Sequence, residues 1–192
     1  VDLRAEPFDE ARFADAVVDL PDGIWVTSLV PTQLSRLVAA AKTVPGVAAA
    51  LRKFDAILVG GQAIPAGLVD RATEVGARII RTYGSAETAG GVVYDGLPIG
   101  DTQLRITDEG ILEVSTSSLA TGYQGDEQRT RESFVDGWYR TTDLAHFENG
   151  KLVIDGRADD IIITGGVKVS LTDIEIALER HGIHSVASWF PD

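Results

Sequence analysis

The sequence predicts an α/β chain: a parallel-sheet α/β layer, a small antiparallel β subdomain, and the start of a small α+β domain. Three observations carry this expectation. Short apolar runs alternate with helix-spaced apolar residues up to about residue 90, the signature of a parallel layer. In the middle, Asp108-Glu109-Gly110 and Glu148-Asn149-Gly150 each separate two strand-like runs, as hairpin turns do. A charged break, Gly156-Arg157-Ala158-Asp159-Asp160, then precedes a return of the α/β texture. The expected divisions are residues 1–156, split into an α/β layer (1–90) and a β subdomain (91–156), and residues 157–192, a hinge and the beginning of a small domain.

Each element has its own justification. Ile24 to Val30 is an apolar run between Pro21-Asp22-Gly23 and Pro31, which reads as a buried strand. Leu34, Leu37, Val38 and Ala41 follow at helical spacing. Pro31 suits the start of that helix and Pro45-Gly46 its end. Ala56 to Val59 is a second buried strand, closed by Gly60-Gly61. Leu68, Ala72 and Val75 share one helix face, ended by Gly76, and Ala77 to Thr82 is a third strand. Beyond Gly90-Gly91, Gln103 to Thr107, Ile111 to Ser115, Tyr139 to Phe147 and Lys151 to Asp155 read as short antiparallel strands. Ile161 to Thr164 is strand-like. Thr172 to His181 reads as a helix, with Thr172 and Glu175 spaced as a capping box and Gly182 as its stop.

Composition narrows the function classes. The chain has 192 residues, 44% hydrophobic and 24% charged, a globular balance that excludes disorder. Seventeen basic against 29 acidic residues leave a net charge of −12, unsuited to nucleic acid, whose phosphates need clustered Lys and Arg. No apolar run approaches the roughly 20 residues that cross a bilayer, so no membrane partner is expected and a cytoplasmic location is. There is no Cys, hence no disulfide and no thiolate site. His146, His181 and His184 form no convincing ligand set. The chain has no Met and starts at Val1, as expected of a segment of a longer protein.

Four clusters have chemical potential. In Gly60-Gly61-Gln62-Ala63-Ile64-Pro65, glycines after a buried strand let a planar or phosphorylated ligand approach the backbone, and equally suit a tight turn. In Tyr83-Gly84-Ser85-Ala86-Glu87-Thr88, Tyr83 offers a face for a base and Ser85 a contact for phosphate. Glu87 offers a ligand for Mg²⁺, or a first-turn helix residue. In Trp138-Tyr139-Arg140-Thr141-Thr142-Asp143, Asp143 suits two ribose hydroxyls, or a β-turn. In Gly156-Arg157-Ala158-Asp159-Asp160 and the later Gly165-Gly166, Arg157 suits ribose or phosphate oxygens and the glycines a thin ligand. An interdomain salt bridge and a glycine turn fit as well.

In this order and spacing the four clusters resemble the adenylate-forming superfamily of acyl- and aryl-CoA synthetases, adenylation domains and luciferases, over roughly residues 24–192. Ser28-Leu29-Val30-Pro31-Thr32-Gln33-Leu34 and Gly90-Gly91-Val92-Val93-Tyr94-Asp95-Gly96 resemble, within it, the o-succinylbenzoate–CoA ligase family of menaquinone synthesis. The resemblance implies a ligase that uses ATP, Mg²⁺ and CoA and passes through an acyl adenylate. It implies that Gly60, Gly61 and Gln62 line an adenine pocket and that Tyr83 packs on the base. Gly84, Ser85 and Ala86 would run past the α-phosphate, and Glu87 would be the catalytic Mg²⁺ ligand. Asp143 would bond the ribose with Arg157, Asp159 would be the hinge, and Gly165 and Gly166 would line a CoA tunnel. The partner implied is a small carboxylic acid, with Arg81 one candidate for a second carboxylate; a homodimer also fits the family.

The sequence departs from the family pattern at four places. Ala86 stands where Thr or Ser is usual, and Thr142 where Gly is usual. No Ser/Thr/Gly-rich phosphate loop ending in Lys appears. None of Lys42, Lys53, Lys151 and Lys168 has the setting of the terminal catalytic Lys. Both absences are expected of a segment of a longer enzyme. A nucleotide-binding protein without catalysis is the reading from another class.

Overall fold

The computed structural model describes residues 7–164, 167–171, 174, 177 and 178. The chain divides into two compact units, Val1–Thr82 and Tyr83–Asp192.

The first unit opens with α1 (Glu10–Val18), which the sequence analysis leaves unassigned. The Asp9 carboxylate accepts from the Arg12 backbone N–H at 2.8 Å and caps it. β1 (Val26–Leu29) leads into α2 (Pro31–Ala40), and Pro31 takes the first turn, where its missing N–H costs nothing. Gln33 reaches back to accept from the Val30 N–H at 3.1 Å. α3 (Val47–Lys53) starts from Gly46, whose φ of 84° favours glycine. β2 (Ala56–Val59), α4 (Leu68–Glu74) and β3 (Ile79–Ser85) follow. The strands are parallel: Thr27 pairs with Ile57, and Leu58 with Ile80. Leu34, Leu37, Leu51, Ile57 and Leu68 have no exposed surface, and such burial is worth about 1.5–3 kcal/mol each. One expectation needs correction. β1 is not a buried strand: it is shorter than the apolar run, Val26 is 54% exposed, and Leu29 alone of its residues is buried. An apolar run by itself does not say which of its faces is covered.

The chain leaves the first unit inside β3, not at Gly90-Gly91, because Tyr83 already packs with the second core. That core gathers Val92, Val93, Leu112, Val114, Ala145 and Leu152. β4 (Gly90–Tyr94) and β5 (Leu97–Pro98) form a hairpin across Asp95-Gly96, both at positive φ. β6 (Gln103–Ile106) and β7 (Ile111–Ser115) pair next. α5 (Glu127–Ser133) and β8 (Phe134–Val135) precede β9 (Trp138–Glu148) and β10 (Lys151–Arg157). These strands are antiparallel in the order β10-β9-β7-β6, with β8 on β9. A 3₁₀ turn, Ala158–Asp160, joins β10 to β11 (Ile161–Thr164), which pairs with β12 (Val167–Ser170). Gly165 and Gly166 lie outside the described residues, as does most of the helix expected over 172–181 together with His181 and His184. Among the described residues no helix is long and apolar enough to cross a membrane.

Candidate nucleotide and metal site

Gly60 and Gly61 follow β2, as expected, and Gln62 is exposed beside them. The structure gives Gly60 a reason of its own. A Cβ there would lie 2.3 Å from Thr82 Oγ1 and 2.5 Å from the Thr82 carbonyl oxygen, so only glycine lets β3 approach. Gly61 has φ 82°, the left-handed value its turn requires. Arg81, on β3, is exposed and pairs in register with Val59.

In the second unit, Tyr83, Asp143, Arg157 and Asp159 come together. β3 runs through Tyr83-Gly84-Ser85, so this motif is strand and the turn begins at Ala86. Gly84 is also forced by packing: its Cβ would clash with the Gly90 carbonyl oxygen. Asp143 does not sit in a β-turn. It lies in β9, at an irregularity where β9 advances four residues (Arg140 to Leu144) against two in β7 (Ile111 to Glu113). Thr141 sustains this bulge: its hydroxyl donates to the Leu112 carbonyl at 2.8 Å and accepts from the Asp143 N–H at 3.0 Å. Bulges re-aim side chains, and here the Tyr83 phenol donates to Asp143 Oδ2 at 2.5 Å. Burial first, and that bond second, push the Tyr83 phenol well above its ordinary pKa. A second bulge, at Asp155 in β10, shifts the register so that Arg157 becomes the cross-strand partner of Asp143. The Arg157 guanidinium grips Asp159 with Nε at 2.9 Å from Oδ1 and Nη2 at 2.6 Å from Oδ2. That pairing raises the Arg157 pKa and holds the Asp159 carboxyl below its ordinary value. Asp159 occupies the 3₁₀ turn between β10 and β11.

Glu87 lies in the turn after β3. Thr88, 2% exposed, organises that turn. Its Oγ1 accepts from the Ser85 N–H at 2.8 Å, and its single proton has the Gly90 carbonyl at 2.8 Å and the Ser85 carbonyl at 3.1 Å. The loop after β7 clamps the same turn. Ser118 Oγ donates to the Thr88 carbonyl at 3.0 Å, the Ala120 N–H to the Glu87 carbonyl at 2.7 Å, and the Tyr123 phenol to Glu87 Oε1 at 2.8 Å. Burial pushes the Glu87 carboxyl up, but the Tyr123 and backbone hydrogen bonds outweigh it and leave the group below its ordinary pKa. Glu87 is therefore anionic at neutral pH. The buried Ser85 hydroxyl lies near enough to bias that carboxylate, yet makes no hydrogen bond of good geometry. Ala86 is exposed in the turn.

These residues fit a nucleotide–Mg²⁺ complex. An orphaned buried hydroxyl beside an anionic carboxylate supplies a donor and a metal ligand. Among the described residues no group of three or more His, Asp or Glu forms an all-protein metal cage. One carboxylate is what Mg²⁺ takes when phosphates and water complete its octahedron. Sequence reasoning placed Thr88 and Thr141 inside its motifs without a role for either, and passed over Tyr123. The first two are turn and bulge hydroxyls without a sequence signature, and Tyr123 stands 36 residues from its partner.

No protein-family model matches the chain. A probable 2-succinylbenzoate–CoA ligase of Mycobacterium tuberculosis is 38% identical over 178 residues, 91% of this chain and 45% of that protein. The long-chain-fatty-acid–CoA ligase FadD15 of Mycobacterium bovis is 38% identical over 144 residues, 69% of this chain and 24% of that protein. Among solved structures, the Bacillus subtilis o-succinylbenzoate CoA synthetase MenE, in complex with the acyl-adenylate intermediate OSB-AMP, superposes with a TM-score of 0.71. It is 25% identical, over 81% of this chain and 36% of that one. The chain thus spans less than half the length of these relatives. It has the adenylate-forming fold over the part it covers, and the resemblance read from the four motifs is borne out. Within that superfamily the chain is similar to the 2-succinylbenzoate–CoA ligases.

Proposed function

We propose that the chain is part of an ATP-dependent acid–CoA ligase that works through an acyl adenylate, with o-succinylbenzoate as the acid. The observation that carries this reading is the register of Asp143 against Arg157 across β9 and β10, beside Tyr83. Two bulges bring together a carboxylate and a guanidinium suited to vicinal hydroxyls. When bound, ATP with Mg²⁺ supplies the activated phosphorus that the acid attacks.

The chain's own groups then have distinct tasks. Asp143, kept in place by Tyr83, accepts from the ribose hydroxyls, and Arg157 donates to their oxygens. The Ser85 hydroxyl and the backbone from Gly84 to Ala86 face the phosphate. Glu87 holds the metal in anionic form. Gly60, Gly61 and Gln62 serve the adenine, Gly165 and Gly166 the CoA. Arg157 and Asp159 together define a hinge, because ribose and Asp159 compete for one guanidinium. A cytoplasmic, homodimeric enzyme accords with this reading.

Pyrophosphate release by the intact protein against o-succinylbenzoate, benzoate, octanoate and palmitate tests it. A kcat/KM for o-succinylbenzoate far above the others is expected. A second reading, a long-chain fatty acyl-CoA ligase, is favoured by the similarity to FadD15 and would put palmitate first. Release with none of the acids refutes both.

A further inference from the structure

We propose that Tyr123 is a positioning residue for Glu87: its phenol fixes the direction in which that carboxylate presents itself to a nucleotide-bound Mg²⁺. The proposal rests on the reading of Glu87 as the metal ligand and adds a residue that acts through it.

The chemistry of the contact comes first. Tyr123 Oη donates to Glu87 Oε1 at 2.8 Å. Holding one carboxylate oxygen sets the direction of the other. A phenol does this without cancelling the negative charge, whereas a Lys or Arg would take that charge for itself. The cation beside Tyr123, Arg129, lies over its ring at 4.1 Å from the centroid rather than on the carboxylate it holds.

The contact is also braced. The Tyr123 N–H donates to Thr130 Oγ1 at 2.8 Å, tying it to α5. Its ring meets Phe134 edge-on at 5.7 Å, and Phe134 stacks on Tyr139 at 5.1 Å. The loop that carries Tyr123 grips the Glu87 turn twice more, through Ser118 and Ala120. Main chain and carboxylate of Glu87 are thus held by one loop. Mg²⁺ tolerates little departure from octahedral geometry, so a ligand oriented in this way spares the complex a rotamer search.

Tyr123→Phe in the intact protein is the test, because it keeps the ring and its packing and removes only the hydroxyl. Mn²⁺ affinity is measured by the EPR signal of free Mn²⁺, in the presence of a non-hydrolysable ATP analogue. Losing an outer-shell partner should weaken it about 10- to 100-fold. The Mg²⁺ concentration for half-maximal pyrophosphate release should rise in parallel, with metal-free nucleotide affinity and melting temperature unchanged. Added to Glu87→Gln, Tyr123→Phe should cost nothing more, since it acts through the carboxylate. Wild-type Mn²⁺ affinity in Tyr123→Phe overturns the proposal and leaves the reading of Glu87 standing. An undiminished effect of Tyr123→Phe in the Glu87→Gln background also overturns it, as the mark of a purely structural role. If the wild-type protein with nucleotide binds no Mn²⁺, the reading of Glu87 fails and the proposal with it.

Discussion

Replacing Thr88 by Val tests how the Glu87 turn is built. The two side chains have nearly the same shape, so the change removes a hydroxyl and little else. Two groups then lose a partner: the Ser85 N–H, which donates to Oγ1 at 2.8 Å, and the Gly90 carbonyl, which receives the hydroxyl proton at 2.8 Å. Each orphaned buried group costs about 1–3 kcal/mol. Ser85 is half-buried and Gly90 is exposed, so water relieves most of the cost at the Gly90 carbonyl. A local destabilisation of about 1–2 kcal/mol remains, chiefly from the half-buried Ser85 N–H. Because each 1.4 kcal/mol is a factor of ten, amides opened with the turn should exchange about 5- to 30-fold faster. The readout is native-state hydrogen exchange at Ser85 and Ala89, against Leu112 and Val114 of the second core as internal references. A local probe suits a chain of two compact units better than one global midpoint. Thr88→Ser keeps the hydroxyl, loses about one methyl's worth of burial, roughly 0.8 kcal/mol, and should lie close to wild type. Wild-type exchange in Thr88→Val, or equal damage from Ser and Val, would refute the reasoning.

Two further outcomes are expected. Glu87→Gln should keep the fold and lower the adenylation rate by about 10² or more, the scale for losing one electrostatic group; single-turnover pyrophosphate release measures it, and an unchanged rate removes Glu87 from the site. Asp159→Pro fixes φ near −65° in the 3₁₀ turn and should leave adenylate formation largely intact while stopping thioester formation. Asp159→Asn removes the charge pair with Arg157 yet keeps the dihedrals free, and should run both steps. Equal loss of both steps in the two variants, together with a lowered melting temperature, would show that Asp159 serves stability alone.

The order of elements was legible where local physics decides it. The strand over Ala56–Val59 was read residue for residue, and α2 and α4 to within a turn, because apolar spacing, Pro31 and the glycines are local signals. The Asn149-Gly150 turn was equally plain. The hairpins at Asp95-Gly96 and Asp136-Gly137 carry the same two-residue signal, with positive φ at all four residues, and so were legible although passed over. α1 and α5, both capped by Asp, show how short capped helices escape apolar periodicity.

By itself, then, the sequence determined the α/β-then-antiparallel order, the acidic surface, the absence of thiol chemistry, and the candidates Tyr83, Glu87, Asp143, Arg157 and Asp159. Tertiary structure alone decided how those candidates meet. Asp143 faces Tyr83 because Thr141 bonds Leu112 and bulges β9, and Arg157 stands opposite Asp143 because Asp155 is an extra residue in β10. Gly60 and Gly84 are glycines because neighbouring backbone fills the space of a side chain. Tyr123 reaches Glu87 across 36 residues. A register shift or a contact between distant residues leaves no periodicity in the chain, since it depends on which strands pair and how far each has slipped. Local propensity selects the strands; only their packing together selects the register, and the register puts Arg157 opposite Asp143.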